Sequence, residues 1–457
     1  MSNLLASLRS STSALSAITE AVSVTQNNVS NAGSAGYAKQ KVSLHARDFD
    51  LANGLAGGVS HATVQSARDQ YAERAVRRQA GRTAEAETDT LSLTRLEQIF
   101  QLSGGDSIPS SLNKLFQAFS AWAAAPEDQA GKENVVAAGA DLAGSFRNTS
   151  QQLTDLANDN VNEIQAVVDR VNRLAGRIQD YNARIRTGSS ADAGVDAGIH
   201  STLDELSADV NINVVPQEDG TYTLMLNGER PLVIGTELHE ISVSIDSDSR
   251  AHIRQGSWED ITDAIDDSRL ASLLTFRHDT LGQIKGDGTQ QGELNRLAAK
   301  IVDRINQTWP PPAASFFVTS SDPGSVAQTI AINPALSPSA LSAVEPGPPV
   351  VANGKALRLA VLANPVNASD KLDGLSFNEF YGQLASDIGG KLNNAKFNKE
   401  SELQLSAQVT AFRHQISGVS LDDEALNLMQ YQRAYEASAR MVTVLDEMLQ
   451  TAVNLGR

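Results

Sequence analysis

The residues of this 457-residue chain that could do chemistry are seven histidines and 54 carboxylates, with no cysteine. Lack of Cys removes disulfides, thiolate metal sites, thiol nucleophiles and iron–sulfur clusters together. The histidines, at positions 45, 61, 200, 239, 252, 278 and 414, include no HxH or HxxxH pair of the kind that seats zinc on one face of an element. Each is expected at a surface or in a turn. Asp373 with Glu379, or Asp263 with Asp266, could be imagined as the two carboxylates of a glycosidase. Among so many acids such pairs arise by chance. There is no G-x-S-x-G elbow, phosphate-binding loop or dinucleotide fingerprint. The reading is of a protein with no enzymatic activity, no catalytic or metal-ligating residues and no cofactor.

The elements that would position any site tell more. Leu8, Leu15, Val22 and Val29 recur every seven residues, with Ala6, Ala14, Ala17 and Ala21 beside them. At the other end Leu421, Leu428, Tyr435, Val442 and Leu449 repeat the period, and Tyr431 and Leu445 widen the stripe. A strict period of seven is that of a coiled-coil seam. Asp422, Asp423 and Glu424 sit where carboxylates complement a helix N-terminus. Each end is either an amphipathic surface helix of its own domain or one that pairs, with the other end or with neighbouring subunits.

Between the ends, residues 60–100 read as helix with Arg68, Arg74, Arg77 and Arg78 on a solvated face. A long helix is expected from about Val135 to Ile185; its clearest 35 residues would span about 50 Å, a length that suits a rod. Alternation then switches to period two around Glu218-Asp219-Gly220 and Asn227-Gly228, giving a small β-rich insert over 206–255. Helix returns at about 261–309 and 375–416. Three domains follow: a discontinuous terminal one (1–48 and 405–457), a helical middle (49–205 and 256–404) and the insert.

A net charge of −17 leaves no basic excess for nucleic acid or anionic lipid. No 18-residue apolar run offers membrane insertion, and the first residues lack the basic and apolar regions of a cleavable signal peptide. Composition alone would place such a chain in the cytoplasm.

Two segments point elsewhere. Asn27-Asn28-Val29-Ser30-Asn31 followed by Gly36-Tyr37 resembles the "NNIAN-x-x-TPGY" signature of bacterial flagellar axial proteins, with Ser34-Ala35 where Thr-Pro is usual. Asn28 and Asn31 can bond local backbone to end a helix, and Gly36 permits the turn that projects Tyr37. The run from Ser417-Gly418-Val419 through Leu421-Asp422-Asp423-Glu424 to Tyr431-Gln432 and Ala434-Tyr435 is similar to the C-terminal end of the flagellar hook-associated family. The resemblance covers nearly the whole chain and implies a fold class: α+β, mainly α, an elongated multi-domain rod with N- and C-terminal coiled-coil helices paired.

It also implies a role, that of a structural adaptor at the distal end of the hook, joining it to the filament. Its partners would be the hook protein, a second hook-associated junction protein and further copies in a tubular layer. Export would be through the flagellar type III pathway to an extracellular site. The assembly interface would comprise the two stripes with Asn28, Asn31, Gly36 and Tyr37. The resemblance further implies an export chaperone on Leu428, Tyr435, Val442 and Leu449, a stripe expected to stand exposed in a free monomer. The rival readings are a rod or hook structural protein, or a surface-exposed adhesin whose ligand face is the β insert.

Overall fold

The structure is a computed structural model that describes residues 2–50, 55–59, 63–100, 107–188, 192–256, 259–309 and 314–455. Helix α1 (Ser2–Ser30) is followed by short strands β1 (Gln40–Ser43), β2 (Phe49–Asp50), β3 (Leu55–Ala56) and β4 (Thr63–Ser66). Next come α2 (Gln70–Ile99), α3 (Ile108–Ala124), α4 (Gln129–Arg186) and α5 (Ala193–Asp209). Strands β5 (Ile212–Pro216), β6 (Tyr222–Leu226), β7 (Arg230–Ile234) and β8 (Glu237–Leu238) form one antiparallel sheet in that order. Strands β9 (Ile241–Ile245), β10 (Ala251–Gln255) and β11 (Glu259–Asp260) form a second. Then follow α6 (Arg269–Thr275), α7 (Gly282–Lys285), α8 (Glu293–Thr308), β12 (Phe317–Val318), α9 (Val326–Thr329), β13 (Ala331–Ile332), α10 (Gly354–Val361), α11 (Phe377–Ser417) and α12 (Leu421–Leu455). The fold is α+β and mainly α.

Helix α4 is the spine. Its 58 residues contain no proline, and the Asp128 carboxylate accepts the N–H groups of Ala130 and Gly131 at its start. At 1.5 Å per residue it runs about 87 Å. Two hydrophobic cores form along it. Val135, Leu142, Phe146 and Leu153 pack with Phe119, Trp122, Ile301 and Phe377 in the first; Ile164, Val168, Val171 and Ile178 pack with Leu203, Leu224, Val233 and Ile253 in the second. Gly139 lets the β12–β13 unit close in, since a Cβ there would stand 2.8 Å from the Phe316 ring. Between the cores Asn160 donates to the Leu273 carbonyl and Arg277 to that of Ala157, so polar bonds mark the division.

The β-rich part is bound to the spine by amides. Asn182 donates to the carbonyls of Tyr222 and Gly235 and accepts from Tyr222 N–H, while Asn172 exchanges both bonds with Ile241. The turns expected at Gly220 and Asn227-Gly228 are present, with φ of 82°, 46° and 74°.

Helix α2 packs along α11, and α1 along α12. Helix α11 runs unbroken to Ser417, so residues 405–417 continue the helix that leans on α2, and α12 alone pairs with α1. The C-terminal stripe therefore does not stand free, in contrast to the expectation for a lone chain. Leu428, Tyr431, Val442, Leu445 and Leu449 are half-buried, and the α1 residues most covered are Ala17, Ile18, Ala21, Thr25 and Asn28. Small side chains at Ala17 and Ala21 allow that close approach.

Candidate functional site

The end of α1, the start of α2, α5 and the elbow between α11 and α12 meet at one joint. Asn28 is 1% exposed and organises the first part. Its amide donates to the Gln40 carbonyl at 2.9 Å, and its carbonyl accepts both Gln40 N–H and the Tyr37 hydroxyl at 2.9 Å. Asn31 bonds back to Asn27 and ends the helix. Tyr37 N–H closes a four-residue turn on the Ser34 carbonyl at 3.2 Å, with Gly36 at φ 73° in its third position. Ser34-Ala35 thus forms the turn without a proline to preset it. Gly36 is needed twice over. Besides the positive φ, a Cβ would lie 2.3 Å from the Ala197 carbonyl oxygen of α5.

The elbow is stitched to the same place. Lys39 N–H donates to the Ser417 carbonyl at 2.8 Å, and the Ser417 hydroxyl donates to the Ala67 carbonyl at 3.0 Å. Lys39 Nζ lies 2.7 Å from Glu424 Oε1, whose side chain is 2% exposed. Burial, and then the Glu424 charge, push the Tyr37 hydroxyl pKa above its usual value.

Beneath lies an ionic network. Arg68 reaches Glu73 and Asp196 at 2.8 Å each and donates to the Gly36 carbonyl at 2.7 Å. Arg413 of α11 reaches Asp204 at 2.7 Å and Glu73 at 3.5 Å. Arg77 lies 3.5 Å from Asp204 and 3.8 Å from Glu73, and its Nη2 is 2.7 Å from His200 Nδ1. Because a guanidinium can only donate, Nδ1 must accept, which leaves the proton on Nε2 to be donated to the Tyr222 hydroxyl 3.2 Å away. Burial first, then Arg68, Arg77 and Arg413, drive the His200 pKa down to about 2. Burial likewise raises Tyr222 to about 12. Three arginines against three carboxylates, around a neutral imidazole, make a fastening of three distant chain segments.

Two expectations are overturned here. Arg77 is buried and Arg68 half-buried, both as ion-pair partners rather than members of a solvated face; of that set Arg74 and Arg78 are exposed. His200 is a buried acceptor and not a surface residue. His252 bridges Asp246 and Asp260, and His278 accepts the Ala251 N–H; His45 and His414 are exposed, and His61 lies outside the described residues. Glu379 accepts the Ser376 N–H in a capping box, Asp373 pairs with Arg296, and Asp266 accepts from Asn211. Among the described residues no cluster of three His, Cys, Asp or Glu is placed to hold a metal ion. No helix there is long and apolar enough to cross a membrane.

Of the interface residues read from the sequence, Asn28, Asn31, Gly36 and Tyr37 gather at the joint. Leu8, Leu15 and Val22 lie half-buried along α1, while Val29, Leu421 and Tyr435 are exposed at 43%, 55% and 42%. Sequence reasoning missed Lys39, Glu73, Asp196, His200, Asp204 and Arg413. The i,i+4 spacings of Glu73 with Arg77, Asp196 with His200 and His200 with Asp204 were the signals available.

Residues 93–309 match the model of the flagellar hook-associated protein FlgK helical domain. Over that stretch the chain is similar to the flagellar hook-associated proteins. Residues 415–455 match the flagellar basal body rod FlgEFG protein C-terminal model. Flagellar hook-associated protein 1 of Bacillus subtilis is 24% identical over 96% of this chain and 96% of its own length; that of Escherichia coli is 23% identical over 97% and 98%. A solved flagellar hook junction protein FlgK from Burkholderia pseudomallei overlaps 54% of this chain and 47% of its own, with TM-score 0.48 and 19% identity. The chain is thus similar to proteins named as flagellar hook-associated along nearly its whole length.

Proposed function

We propose that this chain is a non-enzymatic adaptor at the distal end of the flagellar hook, where it joins hook to filament. The reading rests on one observation above others: both chain ends form a single helical pair, fastened to the body by the joint at Gly36, Lys39, Ser417 and Glu424. Such a pair puts its outward-facing residues, Val29, Leu421 and Tyr435 among them, at the disposal of neighbouring copies in a tubular layer. The domain plan that goes with it has a terminal layer of the first 48 residues and α12, a helical middle that keeps 405–417 with α11, and a β-rich insert.

The partners in this reading are the hook protein, a second hook-associated junction protein and an export chaperone at the C-terminal helix. Chaperone binding through Leu428, Val442 and Leu449 would require α12 to leave α1, which suits a chain exported unfolded by the type III route. An electron-microscopic map of hook–filament junctions from cells carrying this gene tests the assignment. Density for a layer of this fold between hook and filament supports it. A position within the rod or along the hook shaft would overturn it.

A further inference from the structure

Strand β5 is the free edge of its sheet, paired with β6 alone. Asn227 N–H donates to the Asn211 carbonyl at 3.0 Å, and Gln217 N–H to that of Thr221 at 2.8 Å. The register between them pairs Asn213 with Met225 and Val215 with Thr223. The odd-numbered residues of β5 therefore hold the ladder to β6. By the alternation of an antiparallel pair, the N–H and C=O groups of Ile212 and Val214, and the Pro216 carbonyl, point away from it. Among the described residues nothing hydrogen-bonds to that outer edge.

Helix α2 faces the edge across a groove. Two adjoining cavities of about 290 and 570 Å³ fill it, and both are bounded by Arg74 and Arg77 on one side and Asn213 and Val214 on the other. Arg78 lines the first. The carboxylates nearby are already engaged: Glu73 and Asp196 by Arg68, and Asp267 by Arg82. Arg77 is committed to Asp204 and His200. Arg74 and Arg78 are exposed and form no ion pair among the described residues; the Arg74 guanidinium lies over the Tyr71 ring at 5.0 Å.

An open strand edge is a template for another strand. Side chains two apart on an extended chain are about 6.8 Å apart, close to the roughly 6 Å rise between Arg74 and Arg78 on the helix. We propose that this groove accepts an extended acidic segment of a partner polypeptide. The segment adds to β5 as a further strand and sets carboxylates at alternate positions against Arg74 and Arg78. Backbone bonds supply the docking, and the two arginines select for acidic sequence.

The test uses the full-length chain and a fluorescein-labelled peptide, Thr-Glu-Val-Glu-Val-Glu-Val-Thr, followed by anisotropy at low salt. Saturable binding is expected, with slowed amide exchange at Ile212 and Val214. The double variant Arg74→Glu/Arg78→Glu, both sites being exposed, should weaken it by about tenfold or more. A peptide N-methylated on alternate amides should lose binding without any change to the protein, and a lysine-for-glutamate peptide should not bind. No saturation up to millimolar peptide would overturn the proposal. So would equal affinity for the N-methylated peptide, which would mean charge adsorption without strand addition, or an unchanged affinity in the arginine variant.

Discussion

Lys39 and Glu424 are 385 residues apart in the chain and meet at 2.7 Å, with the Glu424 carboxylate almost wholly buried. Their contact fixes where the outgoing segment after α1 lies against the first turn of α12. The two terminal helices are thereby joined to the body, and to each other, at the same point. Without that bridge the helix pair would be held there by backbone bonds at Ser417 and by the turn at Gly36.

Removing one member of this pair leaves the other buried and uncompensated. Lys39→Met should loosen the start of α12 by about 2–4 kcal/mol, seen as faster amide exchange over residues 421–430. The thermal transition of the two cores, which the pair does not touch, should stay where it was.

Gly36 carries both a left-handed backbone and a close approach to α5. Gly36→Ala adds only one carbon, yet that carbon would overlap the Ala197 carbonyl. Gly36→Ala and Gly36→Val should both impair filament attachment and motility in a complemented deletion strain, with the purified protein keeping its helix content. Wild-type motility in both strains would show that the joint tolerates displacement and is not what positions the terminal pair.

Asn28 satisfies three partners with one side chain. Asn28→Ala strands the Gln40 N–H and C=O and the Tyr37 hydroxyl, a loss of about 2–4 kcal/mol to the turn. Limited proteolysis between residues 31 and 39 should speed up accordingly. Asn28→Asp is the informative companion: it keeps the two acceptor contacts but sets a buried carboxylate oxygen against the Gln40 carbonyl, so it should cost at least as much as Asn28→Ala unless that carboxyl is protonated.

Two histidines should titrate in opposite directions. Burial and three arginines hold His200 neutral, with its pKa lowered to about 2 against 6.5 in the unfolded chain. Its contribution to stability is complete above pH 6.5 and is lost progressively as pH falls below that value. His252 is raised, by its hydrogen bond to Asp246 foremost and by Asp260 as well. Its contribution is present below pH 6.5 and fades as pH rises through the folded-state value. Imidazole NMR titration reads both. A His200 that protonates near pH 6 would contradict its place as acceptor of Arg77.

Val442 and Tyr435 separate packing from exposure on α12. Val442→Asp puts a carboxylate into the half-buried face on α1 and should release the helix, while Tyr435→Asp, at the more exposed margin of the same stripe, should weaken the pair less. Circular dichroism of the full chain, with exchange rates over residues 421–455, distinguishes the two.

The seven-residue recurrence, the long helix read from about Val135 to Ile185 and the Asp-Gly and Asn-Gly turns were legible in the chain, because each is set by neighbours within a few residues. So was the role of Asn28, whose side-chain bonds span at most twelve positions. Only the tertiary structure could show that Arg77 is buried and Arg68 half-buried, since their partners Asp204 and Asp196 arrive on α5 more than a hundred residues later. A charged residue on an amphipathic helix reads as solvated until another element covers it. The same holds for Glu424, which as sequence is one acid among three at a helix start and in the fold is the carboxylate that receives Lys39. Local periodicity specifies the helices. Which polar residues they bury depends on where distant segments bring opposite charge and hydrogen-bond partners, and that is a property of the packed chain.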